Sequence, residues 1–111
     1  DVRDFIISSH CLILPSYREG SSKIIMEAQA LSRPVITTDV AGCKELVKNN
    51  YNGYLCKARD GYDLSLKIEQ FINLSMDDKK KMSINARNFC LENFNESDVI
   101  KEYINILNIR G

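Results

Sequence analysis

The stretch CLILPSYREGSSKIIMEAQALSRPVITTDV, residues 11–40, holds two apolar runs with a helical pattern between them. Cys11-Leu12-Ile13-Leu14 is short, unbroken and stopped by Pro15, as a buried strand is. Val35-Ile36-Thr37-Thr38 is β-branched throughout and closes on the turn chemistry of Asp39 to Gly42, so it reads as a second buried strand. Between them Ile24, Ile25, Ala28 and Leu31 share one stripe, which predicts a helix over residues 22–31. Pro34 ends it by forcing Arg33 out of helical geometry. Strand, helix and strand in this order predict a right-handed crossover in a parallel sheet with helices on both faces.

Upstream, Val2, Phe5 and Ile6 fall at helical spacing and predict a helix feeding the first strand. Downstream, a short helix is expected over Cys43 to Lys48, a turn at Asn52-Gly53 and a brief third strand at Tyr54-Leu55-Cys56. From Asp60 the pattern is helical in three stripes. Leu64, Ile68, Phe71 and Ile72 form the first, Met82, Ala86, Phe89 and Cys90 the second, and Val99, Ile100, Tyr103, Ile104 and Leu107 the third. Three strands are few for such a sheet, and the chain opens inside a helical pattern. The expectation is therefore that residues 1–111 are the end of something longer, with earlier strands preceding them.

Composition narrows the function classes. The chain has 111 residues, 44% hydrophobic and 27% charged, which suits one small domain with one core. Fifteen basic and fifteen acidic side chains leave no basic excess, which argues against a nucleic-acid binder. No run of 18 apolar residues is present to span a bilayer as a helix. Cys11, Cys43, Cys56 and Cys90 form no Cys-x-x-Cys pair and read as reduced, buried thiols in a reducing compartment. A zinc site would need paired ligands and more than the single His10, which reads as structural.

In an open α/β sheet ligands bind beyond the carboxyl ends of the strands, so the loop Pro15-Ser16-Tyr17-Arg18-Glu19-Gly20 is where chemistry should sit. Gly20 lets backbone approach a ligand closely. Ser21 or Ser22 starts a helix whose first amides are unpaired donors, an end that attracts phosphate. Lys23 falls in the first turn, where the helix dipole disfavours a cation unless an anion lies beyond it, as a diphosphate would. The bland alternative is an ordinary N-cap with Lys23 paired to Glu27, in the weaker orientation. Glu27 lies about 60° from the centre of the apolar stripe, at its border, where a carboxylate needs a partner such as ribose hydroxyls or a backbone amide. Glu19, preceded by Arg18, could accept hydrogen bonds from a sugar. Lys79-Lys80-Lys81 beside Asp77-Asp78 reads as a solvated helix face.

Glu19 and Glu27, with seven residues between them, then Ala28, Arg33-Pro34-Val35-Ile36-Thr37-Thr38-Asp39-Val40 and Gly42, resemble the signature of retaining GT-B glycosyltransferases of family four, the glycosyl transferases group 1. Cys43-Lys44-Glu45, Asn52-Gly53, Phe94 and Tyr103 continue the likeness over nearly the whole chain. The branch reading Pro-Ser-Tyr-Arg-Glu-Gly assembles bacterial lipid-linked and surface polysaccharides. The resemblance implies an α/β fold, a Rossmann-like parallel sheet flanked by helices with a helical C-terminal tail. It makes residues 1–111 the partial C-terminal, nucleotide-sugar-binding domain of a two-domain enzyme, with the acceptor domain and first strands absent.

It further implies that Glu19 contacts the transferred sugar as the catalytic residue and that Glu27 holds the donor's ribose. Gly20, Ser21, Ser22, Lys23 and Ile24 face the phosphates or the sugar. The expected partners are a UDP-sugar donor and a saccharide acceptor, lipid-linked, with no nucleic acid. Peripheral membrane contact would come through the missing domain, at the inner face of the plasma membrane in the cytoplasm. No cofactor or metal is expected, because amides at a helix start can stabilise the departing diphosphate and the Asp-x-Asp triplet of metal-dependent sugar transferases is missing. Tyr17 and Arg18 are candidates for the acceptor side.

Three departures from the pattern are visible. Ser22-Lys23 replaces a common Pro-Arg, keeping the cation but losing its forked geometry. Ser32 stands where glycine is common, which would strain a left-handed helix cap by about 1 kcal/mol. The basic pair and base-recognition loop of the family would precede Asp1, so this chain alone should be inactive. Two rival classes share some of these features. A glycoside hydrolase also needs two carboxylates, facing each other across a bond. A non-catalytic nucleotide-sugar or carbohydrate-binding module would keep the fold without the reaction.

Overall fold

The computed structural model describes residues 11–15 and 22–94. In chain order they form β1 (Leu12–Leu14), α1 (Ser22–Ala30), β2 (Val35–Thr38), β3 (Gly53–Cys56), α2 (Gly61–Ile72) and α3 (Met76–Phe94). The expected helix near Val2 and the stripe from Val99 to Leu107 lie outside the described residues. So do His10, Tyr17, Arg18, Glu19, Gly20 and Ser21.

The sheet has the order β1-β2-β3 and both pairings are parallel. Leu12 sits beside Val35 and Leu14 beside Thr37; Val35 sits beside Gly53 and Thr38 beside Cys56. Parallel neighbours require the connecting helix to run back antiparallel to them. The start of α1 therefore lies at the carboxyl end of the sheet and its last turn at the amino end. Alternation along β2 splits the core in two. Val35 packs with Leu12, Ile25, Ala28, Leu31, Val47, Phe89 and Cys90, beneath α1 and the second half of α3. Ile36 points the other way, to Tyr54, Phe71 and Met82, beneath α2 and the first half of α3. The result is a Rossmann-like layer arrangement, as expected from the sequence.

The end of α1 explains its own sequence. Ser32 adopts a left-handed φ of 60°. Its N–H donates to the Gln29 carbonyl at 3.0 Å, and the Arg33 N–H donates to the Ala28 carbonyl at 2.9 Å. This pair of bonds is the Schellman arrangement, which satisfies carbonyls the helix would otherwise leave open. The strained cap anticipated at Ser32 is present, and it stops the helix before Pro34 acts. Asp60 caps α2 by accepting from the Asp63 N–H at 2.9 Å, and Ser75 Oγ accepts from the Asp78 N–H at 3.1 Å to start α3. Asp77 and Asp78 then occupy the first turn, where the helix dipole favours them.

Three local expectations are corrected. Residues 43–46 form turns and no helix forms over 43–48, the segment being held by a Gly42 N–H donating to Glu45 Oε2 at 2.9 Å and a Cys43 N–H donating to the Val40 carbonyl at 3.0 Å. The turn expected at Asn52-Gly53 is present over residues 50–52, with Asn52 fully buried at its end and Gly53 opening β3. Ile72 is 61% exposed, because α2 ends there and its stripe has already rotated off the sheet at Phe71. Ile13 is 43% exposed, so β1 is buried on one face only; α2 lies over β2 and β3 instead.

Candidate functional site

The carboxyl ends of β1 and β2 converge with the start of α1, and three observations describe that end of the molecule. Thr37, fully buried on β2, donates its hydroxyl to the Leu14 carbonyl at 2.8 Å. That carbonyl is the last of β1, one residue before the loop begins at Pro15. Ser22 opens α1 half-buried, Lys23 is exposed on the first turn, and Ile24 is half-buried against the core. Glu27 is 7% exposed.

Glu27 is the anomaly of this helix. Helical side chains tilt toward the helix N-terminus, so its carboxylate leans toward the carboxyl end of the sheet, above the turn formed by Lys23 and Ile24. Among the described residues no hydrogen bond or ion pair engages that carboxylate, and Lys23 does not reach it. The pairing of Lys23 with Glu27 that would have made both residues ordinary is thus not formed. Glu27 is thus a buried acidic residue left without a partner among the described residues.

The other predicted site residues divide cleanly. Ser22, Lys23 and Ile24 form the first turn of α1, and Glu27 follows on its second turn. Glu19, Gly20 and Ser21 lie outside the described residues, so their placement adds nothing to this picture. Among the described residues no cluster of three metal-ligating side chains occurs. No described helix is long and apolar enough to cross a membrane. The four thiols are free.

Three polar residues of structural weight were not foreseen. Gln29, fully buried, donates through Nε2 to the Leu46 carbonyl at 2.9 Å, and Asn52 donates through Nδ2 to the same carbonyl at 3.1 Å. Asn52 Oδ1 also accepts from the Lys48 N–H at 2.8 Å. These bonds tie α1 to the segment before β3. The third is Thr37. Its signal was a hydroxyl where a second β-branched apolar residue would have served the strand equally well.

Two surface depressions lie elsewhere. One, about 730 Å³, is lined by Arg33, Phe71, Ile72 and Met76, and another, about 510 Å³, by Asn49, Asn50, Lys67 and Asn73. Arg33 and Asn49 precede β2 and β3, so both hollows are at the amino end of the strands, away from Glu27. Strand topology is the better guide to the site, since ligands of open α/β sheets bind beyond the carboxyl ends of the strands.

The model of the family described as glycosyl transferases group 1 matches residues 1–89. The chain belongs to that family. It is 28% identical over 108 residues to the N,N'-diacetylbacillosaminyl-diphospho-undecaprenol alpha-1,3-N-acetylgalactosaminyltransferase of Campylobacter jejuni, covering 96% of this chain and 28% of that protein. To the UDP-Gal:alpha-D-GlcNAc-diphosphoundecaprenol alpha-1,3-galactosyltransferase of Escherichia coli it is 35% identical over 100 residues, covering 86% and 24%. A glycosyltransferase structure from Rickettsia africae superposes with a TM-score of 0.68 at 27% identity, over 86% of this chain and 26% of that one. The fold is also that of Anabaena HepE, solved with UDP and glucose, with a TM-score of 0.77 at 18% identity, over 96% and 29%. This group 1 chain thus spans about a quarter of the length of the relatives it matches.

Proposed function

We propose that the chain is the donor-binding part of a retaining GT-B glycosyltransferase of the family-four type, which moves a sugar from UDP to a hydroxyl of a lipid-linked saccharide. The acceptor domain and the first strands of this domain would belong to the same longer protein, acting at the inner face of the plasma membrane. The observation that carries the reading is Glu27, a buried acidic residue on the helix that starts at the carboxyl end of the sheet, with no hydrogen-bond or ion-pair partner among the described residues. Glu27 accepts from the ribose hydroxyls. Backbone amides of Gly20 to Ile24, with Lys23 beyond them, hold the diphosphate. Negative charge grows on that diphosphate as the glycosidic bond breaks, so fixed amide dipoles stabilise the transition state more than the bound donor. Glu19 orients the sugar and stabilises the positive charge developing at its anomeric carbon. The reading requires no metal. Support for a lipid-linked acceptor comes from the two diphosphoundecaprenol-specific relatives, and support for UDP from the galactosyltransferase among them and from the HepE complex.

The test is titration of the full-length protein with UDP and its sugar conjugates. Glu27→Ala should weaken UDP binding at least about tenfold, the effect of losing one charge-assisted hydrogen-bonded contact. Glu19→Ala should chiefly lower turnover. Unchanged UDP affinity in the first variant refutes the ribose assignment. Tight donor binding with no transfer to any lipid-linked acceptor would favour a binding module over an enzyme.

A further inference from the structure

At the amino end of the strands the hollow of about 510 Å³ is joined by a second of about 180 Å³, and Asn50, Tyr54 and Leu74 line both. Amide side chains make up much of their wall. Asn49, Asn50, Gln70 and Asn73 belong to the larger hollow and Asn85 to the smaller. Two of these amides are half engaged. Asn49 Oδ1 accepts from the Leu55 N–H at 2.7 Å, which leaves its NH2 group to donate, and Asn85 Nδ2 donates to the Tyr51 carbonyl at 3.0 Å, which leaves its Oδ1 to accept. Asn50, Gln70 and Asn73 make no side-chain hydrogen bond among the described residues. Tyr54 is the second observation. It is only 3% exposed, with its ring packed among Ile36, Phe71 and Met82. A buried tyrosine ordinarily finds a partner for its hydroxyl, yet the hydroxyl of Tyr54 makes no hydrogen bond among the described residues.

We propose that the joined hollows bind a neutral oligosaccharide, held by the Tyr54 hydroxyl and by the amides of Asn50, Gln70 and Asn73. The available groups select this class of ligand. Sugar hydroxyls donate and accept at once, and primary amides offer both functions. An anion would face the carboxylate of Asp78 and the open amide oxygen of Asn85, and a cation would face Lys67 and Lys81. The C–H face of a sugar ring packs on apolar surface, which Leu74 and the 38%-exposed Tyr51 supply. The larger hollow falls within the range of about 300 to 1,000 Å³ that ligand pockets occupy. Burial pushes the Tyr54 hydroxyl above its ordinary range, so it remains a protonated donor at neutral pH. This place is at the opposite end of the strands from the start of α1. The inference therefore goes beyond the donor-site reading without resting on it, and holds equally for a transferase and for a binding module.

The test is titration of the full-length protein with maltotriose, a neutral trisaccharide, followed by saturation-transfer NMR with and without UDP. Binding should be saturable, and UDP should change the maltotriose affinity by less than about twofold, since the two ligands occupy opposite ends of the sheet. Tyr54→Phe keeps the ring in the core, removes the hydroxyl and should weaken maltotriose binding about fivefold, the effect of one neutral hydrogen bond. Gln70 and Asn73 are exposed at the end of α2, so Gln70→Ala with Asn73→Ala leaves the core untouched and should weaken binding about tenfold or more. That double variant keeps the test decisive should Tyr54→Phe fail to fold. Three results overturn the proposal: no saturable binding of maltotriose, binding that is the same in wild type and in these variants, or binding that UDP displaces. Tighter binding of trigalacturonate than of maltotriose would make this an anion site and overturns it as well. Failure of the protein to bind UDP refutes the donor-site reading and leaves the oligosaccharide site standing, so the two fail separately.

Discussion

Replacing Ser32 by glycine should stabilise the fold. Ser32 holds a φ of 60° at the end of α1, and its N–H and that of Arg33 complete the Schellman bonds to Gln29 and Ala28. A residue with a Cβ in this region costs about 1–2 kcal/mol relative to glycine, through the approach of Cβ to the following carbonyl. Glycine returns about 0.5–1 kcal/mol of that through the greater freedom of its unfolded chain. Ser32 is half-buried, and among the described residues its hydroxyl makes no hydrogen bond, so nothing further is lost. The net expectation for Ser32→Gly is a gain of about 1 kcal/mol, a rise of roughly 4 °C in Tm for a domain of this size. Urea unfolding followed by circular dichroism would read it as a higher midpoint at unchanged m-value. Ser32→Ala, which keeps the Cβ and removes the hydroxyl, separates the two parts of the argument and should show no such gain. If Ser32→Gly leaves the midpoint unchanged or lowers it, or if alanine stabilises as much as glycine, the backbone strain assigned to Ser32 is absent.

Gly53→Ala should be severely destabilising, by more than about 3 kcal/mol, because an added Cβ would lie 1.9 Å from the Val35 carbonyl oxygen, a backbone atom that can yield only by parting β2 from β3; expression of folded protein is the first readout. Two side chains sharing the Leu46 carbonyl should respond in opposite senses. Asn52→Ala strips the Lys48 N–H of its acceptor and should cost about 2 kcal/mol, whereas Gln29→Met removes a buried Oε1 with no partner and should be neutral or stabilising by up to about 1 kcal/mol in the same unfolding assay. Burial raises the Cys11 thiol to about 12 and the Cys90 thiol to about 11. The folded state therefore holds those protons where the unfolded chain, near the ordinary thiol value of about 8.5, has released them. Stability contributed by the two thiols is whole below pH of about 8 and should fall as pH rises from about 9 toward 12. Replacing both with alanine should flatten that fall, whatever the cost in packing.

Much of this fold was legible because β1, α1 and β2 carry unmixed signals. Ile36 and Val35 are apolar and β-branched, both faces of β2 are buried, and the sequence pattern and burial agree. The misreadings have physical causes. Cys43 to Lys48 has helical spacing but takes its bonds from a glycine turn at Gly42, which local pattern cannot foresee. Asn52-Gly53 was legible as the end of a turn, but the bonds of the asparagine to Leu46 and Lys48 and the closeness of β2 to the glycine were not. Both are tertiary demands on residues that look local. The border position of Glu27, buried without facing the core centre, was legible from its angular position on α1. The Thr37 hydrogen bond was not, since it depends on which carbonyl the β1–β2 register sets beside the hydroxyl.

The same helix shows why a candidate donor site would be built at some cost to stability. From Ile25 to Ala30 every residue of α1 except Met26 is buried, so the helix cannot turn or slide to release a side chain it has enclosed. Glu27 is one of the enclosed residues, and exchanging it for a methionine of similar volume would leave the packing in place while taking no charge from water. Its burial also fixes the direction in which it can accept a hydrogen bond before any ligand arrives, so little ordering remains to be done on binding. Stability gained with affinity lost in Glu27→Met is therefore the signature of a preorganised ligand contact. A carboxylate with only a structural role would lose both.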